Sequence, residues 1–204
     1  GPRRGGRRAR RGAFAGRGAR PRGACGVGGP RGSRRARPLW APGAAHRIVD
    51  GVAVLTGAAS PEGRVLVLDE LGFHHATSVA ELLADRGCQV EVATPGMVVG
   101  QDLGITLDLE TWWMRAESKG IVQTTELAPM GWDDGTVSFQ HHPTGTMVER
   151  RVDWLVLAVP PAPAEELYLD LLEAGVSVQR VGDAVAPRRA HAAVVDGERI
   201  GAAL

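Results

Sequence analysis

Gly182-Asp183 and Ala186-Pro187-Arg188-Arg189 are the residues whose types and spacing best suit chemistry. They follow an apolar run, Val176-Ser-Val-Gln-Arg-Val181, that reads as a buried strand, and they precede a segment that reads as a helix opening at Pro187. A carboxylate at a strand end accepts hydrogen bonds from ribose or ribitol hydroxyls. A helix start offers unpaired N–H groups and a positive dipole end to a pyrophosphate; proline suits its first turn, and Arg188 and Arg189 add charge. Together these meet the needs of a flavin dinucleotide. The plain alternative is a turn in which Asp183 only caps the helix and both arginines are solvated.

A second candidate is the loop Asp69-Glu-Leu-Gly-Phe-His74 after the apolar run Arg64–Leu68. In a nucleotide-binding βαβ unit, glycines at this turn let the backbone approach the pyrophosphate, and an acid about twenty residues on holds the ribose. Here there is one glycine, Gly72, with a bulky Phe73 and two carboxylates where a dianionic group would sit. Two unit charges ~5 Å apart repel by about 3 kcal/mol at an effective dielectric of ~20, so Asp69 and Glu70 oppose a phosphate. The next strand ends in Thr94-Pro95, with no acid or arginine for a ribose. Binding of NAD(P)H through Asp69 and Gly72, and a purely structural role, both stay open.

Other groups are weaker. His74-His75, at a helix entrance, suit surface or capping roles better than metal ligation. His141-His142 are adjacent on a predicted strand and point to opposite faces, which argues against joint metal binding. Trp112 and Trp113 suit core or interface positions, and no serine or cysteine has the setting of a nucleophile. No catalytic residue and no metal ligand is expected.

The elements that must position these residues are those of an α/β fold. Arg64–Asp69 is a continuous apolar run of the kind buried in a parallel sheet, and Ala76, Val79, Ala80 and Leu83 mark one face of a helix ended by Gly87. With the strand Gln89–Thr94 they form a βαβ unit. A helix over 107–119 follows, with Asp108 as its cap. Short strands are expected at Ile121–Thr125, Glu126–Trp132, Thr136–Gln140 and Thr146–Arg151, with turns at Asp133-Asp-Gly135 and Pro143-Thr-Gly145. A buried parallel strand at 154–159, a helix near 164–174, the closing strand and a terminal helix complete the chain. The architecture predicted is a doubly wound, mainly parallel Rossmann-like sheet with a small antiparallel β meander.

Charge divides the chain sharply. Residues 1–49 hold 14 arginines and no acid, whereas all 23 acids lie in residues 50–204. Arg, Gly, Ala and Pro fill 34 of the first 40 positions, too little apolar surface to offset ordering entropy. Residues 1–45 are therefore expected to be a disordered arm, and 46–204 a partial dinucleotide-binding domain. Three readings of the arm stay open: text translated out of frame from a GC-rich gene, a natural tail, and a nucleic-acid-binding segment. The last lacks stacking aromatics beyond Phe14 and Trp40. A transit peptide fits the charge but not the scarcity of serine. Cys25 and Cys88 have no partner at metal or redox spacing, and no apolar run approaches the ~18 residues of a membrane span. A cytoplasmic setting is expected. The start at Gly1 suggests a fragment.

With these residues assembled, the chain from about His46 to Leu204 resembles the C-terminal part of Old Yellow Enzyme-like NADH:flavin oxidoreductases that carry an added dinucleotide module. These are of the 2,4-dienoyl-CoA reductase and trimethylamine or histamine dehydrogenase type, and the mycofactocin-associated branch in particular. The stretches that carry the resemblance are Val67-Leu-Asp-Glu-Leu-Gly-Phe-His-His-Ala-Thr-Ser-Val-Ala-Glu-Leu-Leu-Ala84, Val98-Val-Gly-Gln-Asp-Leu-Gly-Ile-Thr-Leu107 and Val181-Gly-Asp-Ala-Val-Ala-Pro-Arg188. It implies an FMN-bearing barrel with an iron–sulfur cluster, then an FAD- or ADP-binding domain with a nicotinamide-type subdomain inserted. Gly182 and Asp183 match the family's flavin-dinucleotide Gly-Asp, and Ala186-Pro187-Arg188 the helix start beside it. The loop Asp69–His74 matches the insert's nucleotide turn, which is also glycine-poor in the amine-dehydrogenase branch.

The chain departs from the family in having no barrel, no cysteine cluster and no glycine-rich first turn for the FAD pyrophosphate. Ala158-Val159-Pro160 stands where an Ala-Thr-Gly turn is common. FMN and the iron–sulfur cluster are accordingly expected only in a missing N-terminal part. The reading is a C-terminal fragment of a flavin-dependent NAD(P)H oxidoreductase. It would help bind FAD or ADP for electron transfer to FMN, partnered by the missing barrel domain and inactive alone. The alternatives are a non-catalytic nucleotide-binding or interaction module, and nucleic-acid binding through the arm. Oligomeric state stays open.

Overall fold

The computed structural model describes residues 47–203, and the arm assigned to residues 1–45 lies outside the described residues. In chain order the elements are β1 (Ile48–Asp50), α1 (Gly51–Leu55), β2 (Arg64–Asp69), α2 (His74–Asp85), β3 (Gln89–Ala93), α3 (Leu109–Ser118), β4 (Val122–Thr124), β5 (Leu127–Asp133), β6 (Thr136–His141), β7 (Met147–Arg151), β8 (Trp154–Ala158), α4 (Glu166–Glu173) and α5 (Ala190–Gly201). Short 3-10 turns occupy Gln101–Ile105 and Gly182–Ala184.

Every residue of β2 after Arg64 is buried, because an apolar run without polar alternation is stable only when both faces are covered. Val65 and Val67 meet one core with Val79, Ala80 and Leu83 of α2 and Trp112 and Ala116 of α3. Leu66 and Leu68 meet the other core with Leu127, Trp132, Val137 and Phe139. Helices α1, α2 and α3 thus take one face of the sheet and the meander takes the opposite face. The sheet runs β1-β8-β2-β3-β4 with all neighbours parallel, and the meander runs β5-β6-β7 antiparallel. Glu91 on β3 joins the layers. Its carboxylate accepts from Arg150 Nε of β7 at 3.0 Å and from the Thr124 hydroxyl of β4 at 2.8 Å.

The α/β class, the parallel sheet and the meander agree with the sequence reading, and β2, α2 and β3 lie where expected. Trp112 is buried in the core, as the sequence suggests, and Trp113 is exposed. Three features differ. The 121–125 strand, observed as β4, pairs parallel to β3 and extends the main sheet. Asp108 holds the N-cap position of α3 but makes no side-chain capping bond. The expected closing strand at 176–181 does not form. The place beside β8 is taken by β1, which the sequence reading missed (Ile48↔Leu155, Val49↔Val156, Asp50↔Leu157). Val176 and Val181 are consequently exposed.

Beyond β8 the packing changes. No residue of α4 or α5 is buried, and Gly182 is the one buried position among residues 160–203. Among the described residues no helix is long and apolar enough to cross a membrane.

Because Phe139 is fully buried in the core between sheet and meander, Phe139→Ala should cost about 3–5 kcal/mol of folding stability. Urea denaturation measures this, and a loss under about 1 kcal/mol would mean that the meander does not share the sheet's core.

Candidate functional site

The end of β2 places Asp69 on the helix side of the sheet, fully buried. Three backbone N–H groups donate to its carboxylate: Gly72 at 2.7 Å and Leu71 at 3.2 Å to Oδ1, and Gly100 at 3.0 Å to Oδ2. Burial pushes the Asp69 carboxyl above its ordinary pKa, and these bonds oppose the shift. Burial also raises Glu70. Asp69 therefore organises the loop that it heads and ties it to the loop after β3.

Two glycines make that tie. Gly72 (φ +62°) turns its carbonyl to accept from the Asp102 N–H at 2.8 Å. Gly100 (φ +66°) sits where an added Cβ would lie 3.0 Å from Leu103 Cδ1 and 3.1 Å from Thr77 Cγ2. The turn at the start of α2 is thus closed by the chain's own backbone. Phe73 holds the N-cap position of α2 without a side-chain capping bond, and His74 packs edge-on against it. His74 Nε2 also lies 3.6 Å from Asp108. His141 contacts Thr144 and Glu126 on the meander, away from His74. Among the described residues no cluster of three or more His, Cys, Asp or Glu is arranged to hold a metal.

The Gly182-Asp183 element sits in a 3-10 turn instead of at a strand end. Gly182 has φ +59° and packs so close to α5 that a Cβ there would meet Ala193 Cβ at 3.1 Å. The Val185 and Ala186 N–H groups both donate to the Gly182 carbonyl. That wrapped turn delays the helix: α5 begins at Ala190 with Arg189 as N-cap, and Pro187 lies before the first helical turn, not in it. Asp183 is exposed, and Arg188 N donates to its Oδ1 at 3.4 Å.

Neither arginine is a free solvated cation. Arg188 pairs with Asp196 of α5 and donates from Nε to the Ala186 carbonyl. Arg189 pairs with Asp102 and lies over the Phe73 ring, 5.0 Å from its centroid. The structure therefore brings Arg189, Phe73, Asp102, Gly72 and Asp69 together, and it leaves Asp183 on the separate turn at 182–188. Gly100 and Asp102 were not singled out as site residues from sequence. The only signal was their place in the 98–107 stretch that carries the family resemblance.

No protein-family model matches the chain. It is 29% identical to an N,N-dimethylglycine/sarcosine dehydrogenase of Chromohalobacter salexigens, over 72% of this chain and 26% of that protein. It is 27% identical to a probable N-methylproline demethylase of Rhizobium meliloti, over 75% of this chain and 27% of that protein. Among solved structures, the 6-hydroxypseudooxynicotine amine oxidase of Pseudomonas geniculata N1 superposes with a TM-score of 0.68 at 26% identity, covering 76% of this chain and 24% of that one. The chain spans about a quarter of the length of the curated relatives that it matches.

Two outcomes follow from the Asp69 arrangement. Gly100→Ala combines a left-handed backbone with a tight contact, whereas Gly72→Ala meets only ordinary contacts at 3.7 Å. Both should destabilise, Gly72→Ala by about 1–2 kcal/mol and Gly100→Ala by more, in thermal melts; the reverse order would refute the packing described. The second outcome concerns pH. Asp69 has a raised pKa, so its contribution to stability is complete below the unfolded-state value and is lost as pH rises through the folded-state value. The stability of the wild-type chain relative to Asp69→Asn should therefore fall as pH rises above the ordinary carboxylate value of about 4. A pH-independent difference in urea midpoints would show that the three backbone bonds cancel the effect of burial on Asp69.

Proposed function

Starting from kinship with the Old Yellow Enzyme-like flavin oxidoreductases of the 2,4-dienoyl-CoA reductase and trimethylamine dehydrogenase type, we propose that this chain is one segment of a flavin-dependent oxidoreductase, in which it helps to seat FAD or ADP. The observation that carries the reading is the exposed Asp183 carboxylate, held on the Gly182 turn beside the start of α5. Its carboxylate accepts from Arg188 N at 3.4 Å, which leaves lone pairs free to accept from ribose or ribitol hydroxyls. Asp183 fits that half of the ligand as it stands. Arg188 and Arg189 could serve a pyrophosphate only after leaving Asp196 and Asp102. A bound flavin supplies the electron-carrying chemistry; the chain's own part is to orient and hold.

The nucleotide turn after β2 is, in this reading, structural. The Asp69 carboxylate is occupied by three backbone donors, and Glu70 and Asp102 keep the neighbourhood acidic. NAD(P)H would not be seated there. FMN, an iron–sulfur cluster and the substrate pocket would belong to portions of a longer protein, as would the partner surface that covers Leu167, Leu169 and Leu172 of α4, all exposed here. The exposed apolar face also suits an interaction module, the alternative that differs by needing no nucleotide. A reducing, cytoplasmic setting fits a sequence whose two cysteines lack metal or redox spacing.

Titration of FAD and ADP, followed by fluorescence, separates these readings. The chain alone should bind FAD more weakly than about 1 μM, or ~8 kcal/mol, and should not oxidise NADH. Asp183→Ala should weaken the saturable binding that remains. Affinity tighter than this, or binding indifferent to Asp183→Ala, would refute the assignment.

A further inference from the structure

Residues 160–203 are well tied within themselves and joined to the rest of the domain at one place. Arg180 donates to Glu165 Oε2 at 2.6 Å and to the Ala184 carbonyl at 3.2 Å, and it lies 4.4 Å from the Tyr168 ring centroid. It thereby links the start of α4 to the Gly182 turn. Gly182 packs on Ala193, and Arg188 pairs with Asp196, which links that turn to α5. Outward connections are few. No residue beyond Val159 belongs to either core. Among the described residues, Arg189 makes the only ion pair, side-chain hydrogen bond or ring contact that joins residues 160–203 to residues 47–159, through Asp102 and Phe73. No backbone hydrogen bond crosses that boundary either.

The covalent connection is Pro160-Pro161-Ala162-Pro163, whose fixed φ angles make it a stiff strut with no regular secondary structure. We propose that residues 160–203 form a strap, pivoting on this proline strut, and that Arg189 is the clasp that closes it over the loop between β2 and α2. Arg189 is a positioning residue: with the clasp closed, the Asp183 turn is fixed relative to the Asp69 loop, and with it open the strap moves as a unit. A planar guanidinium suits the task because it bonds a carboxylate at its edge while stacking on an aromatic face. Gly72 presets the partner, since its carbonyl holds the Asp102 N–H at 2.8 Å and so fixes the residue that carries the receiving carboxylate. The clasp does not depend on flavin binding and is tested without a flavin.

Hydrogen–deuterium exchange on the full chain provides the test, comparing wild type with Arg189→Ala, Asp102→Ala and the double variant. Both side chains are more than a third exposed, which limits the pair to a modest effect. Each single substitution should speed exchange in residues 190–201 by about two- to fivefold, because α5 without tertiary contacts is marginal. The double variant should add little to either single. Exchange in 64–69 and 154–158 should not change and reports that the domain is folded. Unchanged exchange in 190–201, additive effects of the two substitutions, or an equal rise in the core strands would each overturn the clasp.

Discussion

The strand Arg64–Asp69 must be covered on both faces, and most of the domain can be understood as the means of covering it. Valines at 65 and 67 require helices, leucines at 66 and 68 require the meander, and β3 and β8 complete its hydrogen bonding. The same burial reaches the last residue, where it encloses a carboxylate. A buried Asp is tolerable only with donors around it, and the donors available at a strand end are backbone N–H groups of the following loops. Satisfying Asp69 therefore draws the 70–72 turn and the Gly100 loop together. That closure uses the backbone groups that a nucleotide phosphate would otherwise engage.

The elements legible in the sequence are those whose pattern and burial agree locally. The run at 64–69, the i, i+3, i+4, i+7 spacing from Ala76 to Leu83 and the turns at 133–135 and 143–145 each predict their structure without reference to distant residues. Val176–Val181 has an equally strong β pattern and forms no strand; the edge of β8 is taken by β1 instead. That edge depends on three residues, Ile48–Asp50, too few to show any periodicity. Helix α1 was missed for a related reason: at five residues its one clear mark is the Asp50 cap, which accepts from Ala53 N at 2.7 Å.

The candidate site was legible by residue type more than by geometry. Asp69 and Gly72 were singled out, and the conflict between paired acids and a phosphate was apparent from charge alone. The conflict is resolved by burying one acid and satisfying it, which composition cannot reveal. Arg189 was assigned to a cofactor; in the structure it is committed to Asp102, 87 residues away. No local pattern encodes that pairing. Pro187 misled because proline is favoured at a helix start, whereas here the Gly182 carbonyl captures two N–H groups and holds the chain in a turn until Ala190.

The energetics of residues 160–203 bear on how the chain is to be regarded. An eight-residue helix and a twelve-residue helix are marginal in isolation, and neither buries a residue here. Surface ion pairs such as Arg180–Glu165 and Arg189–Asp102 typically contribute about 1 kcal/mol or less each. Meanwhile Leu167, Leu169, Leu172, Val176, Val181, Val185, Val194 and Val195 are exposed, far more apolar surface than the segment's own contacts cover. The opposite holds across β2 and β8, where apolar supply and coverage match. Relatives about four times as long contain ample additional chain that could meet such a surface. Under the proposed role in a larger flavoprotein, the segment that bears Asp183 is weakly held by its own domain because its remaining contacts are made elsewhere.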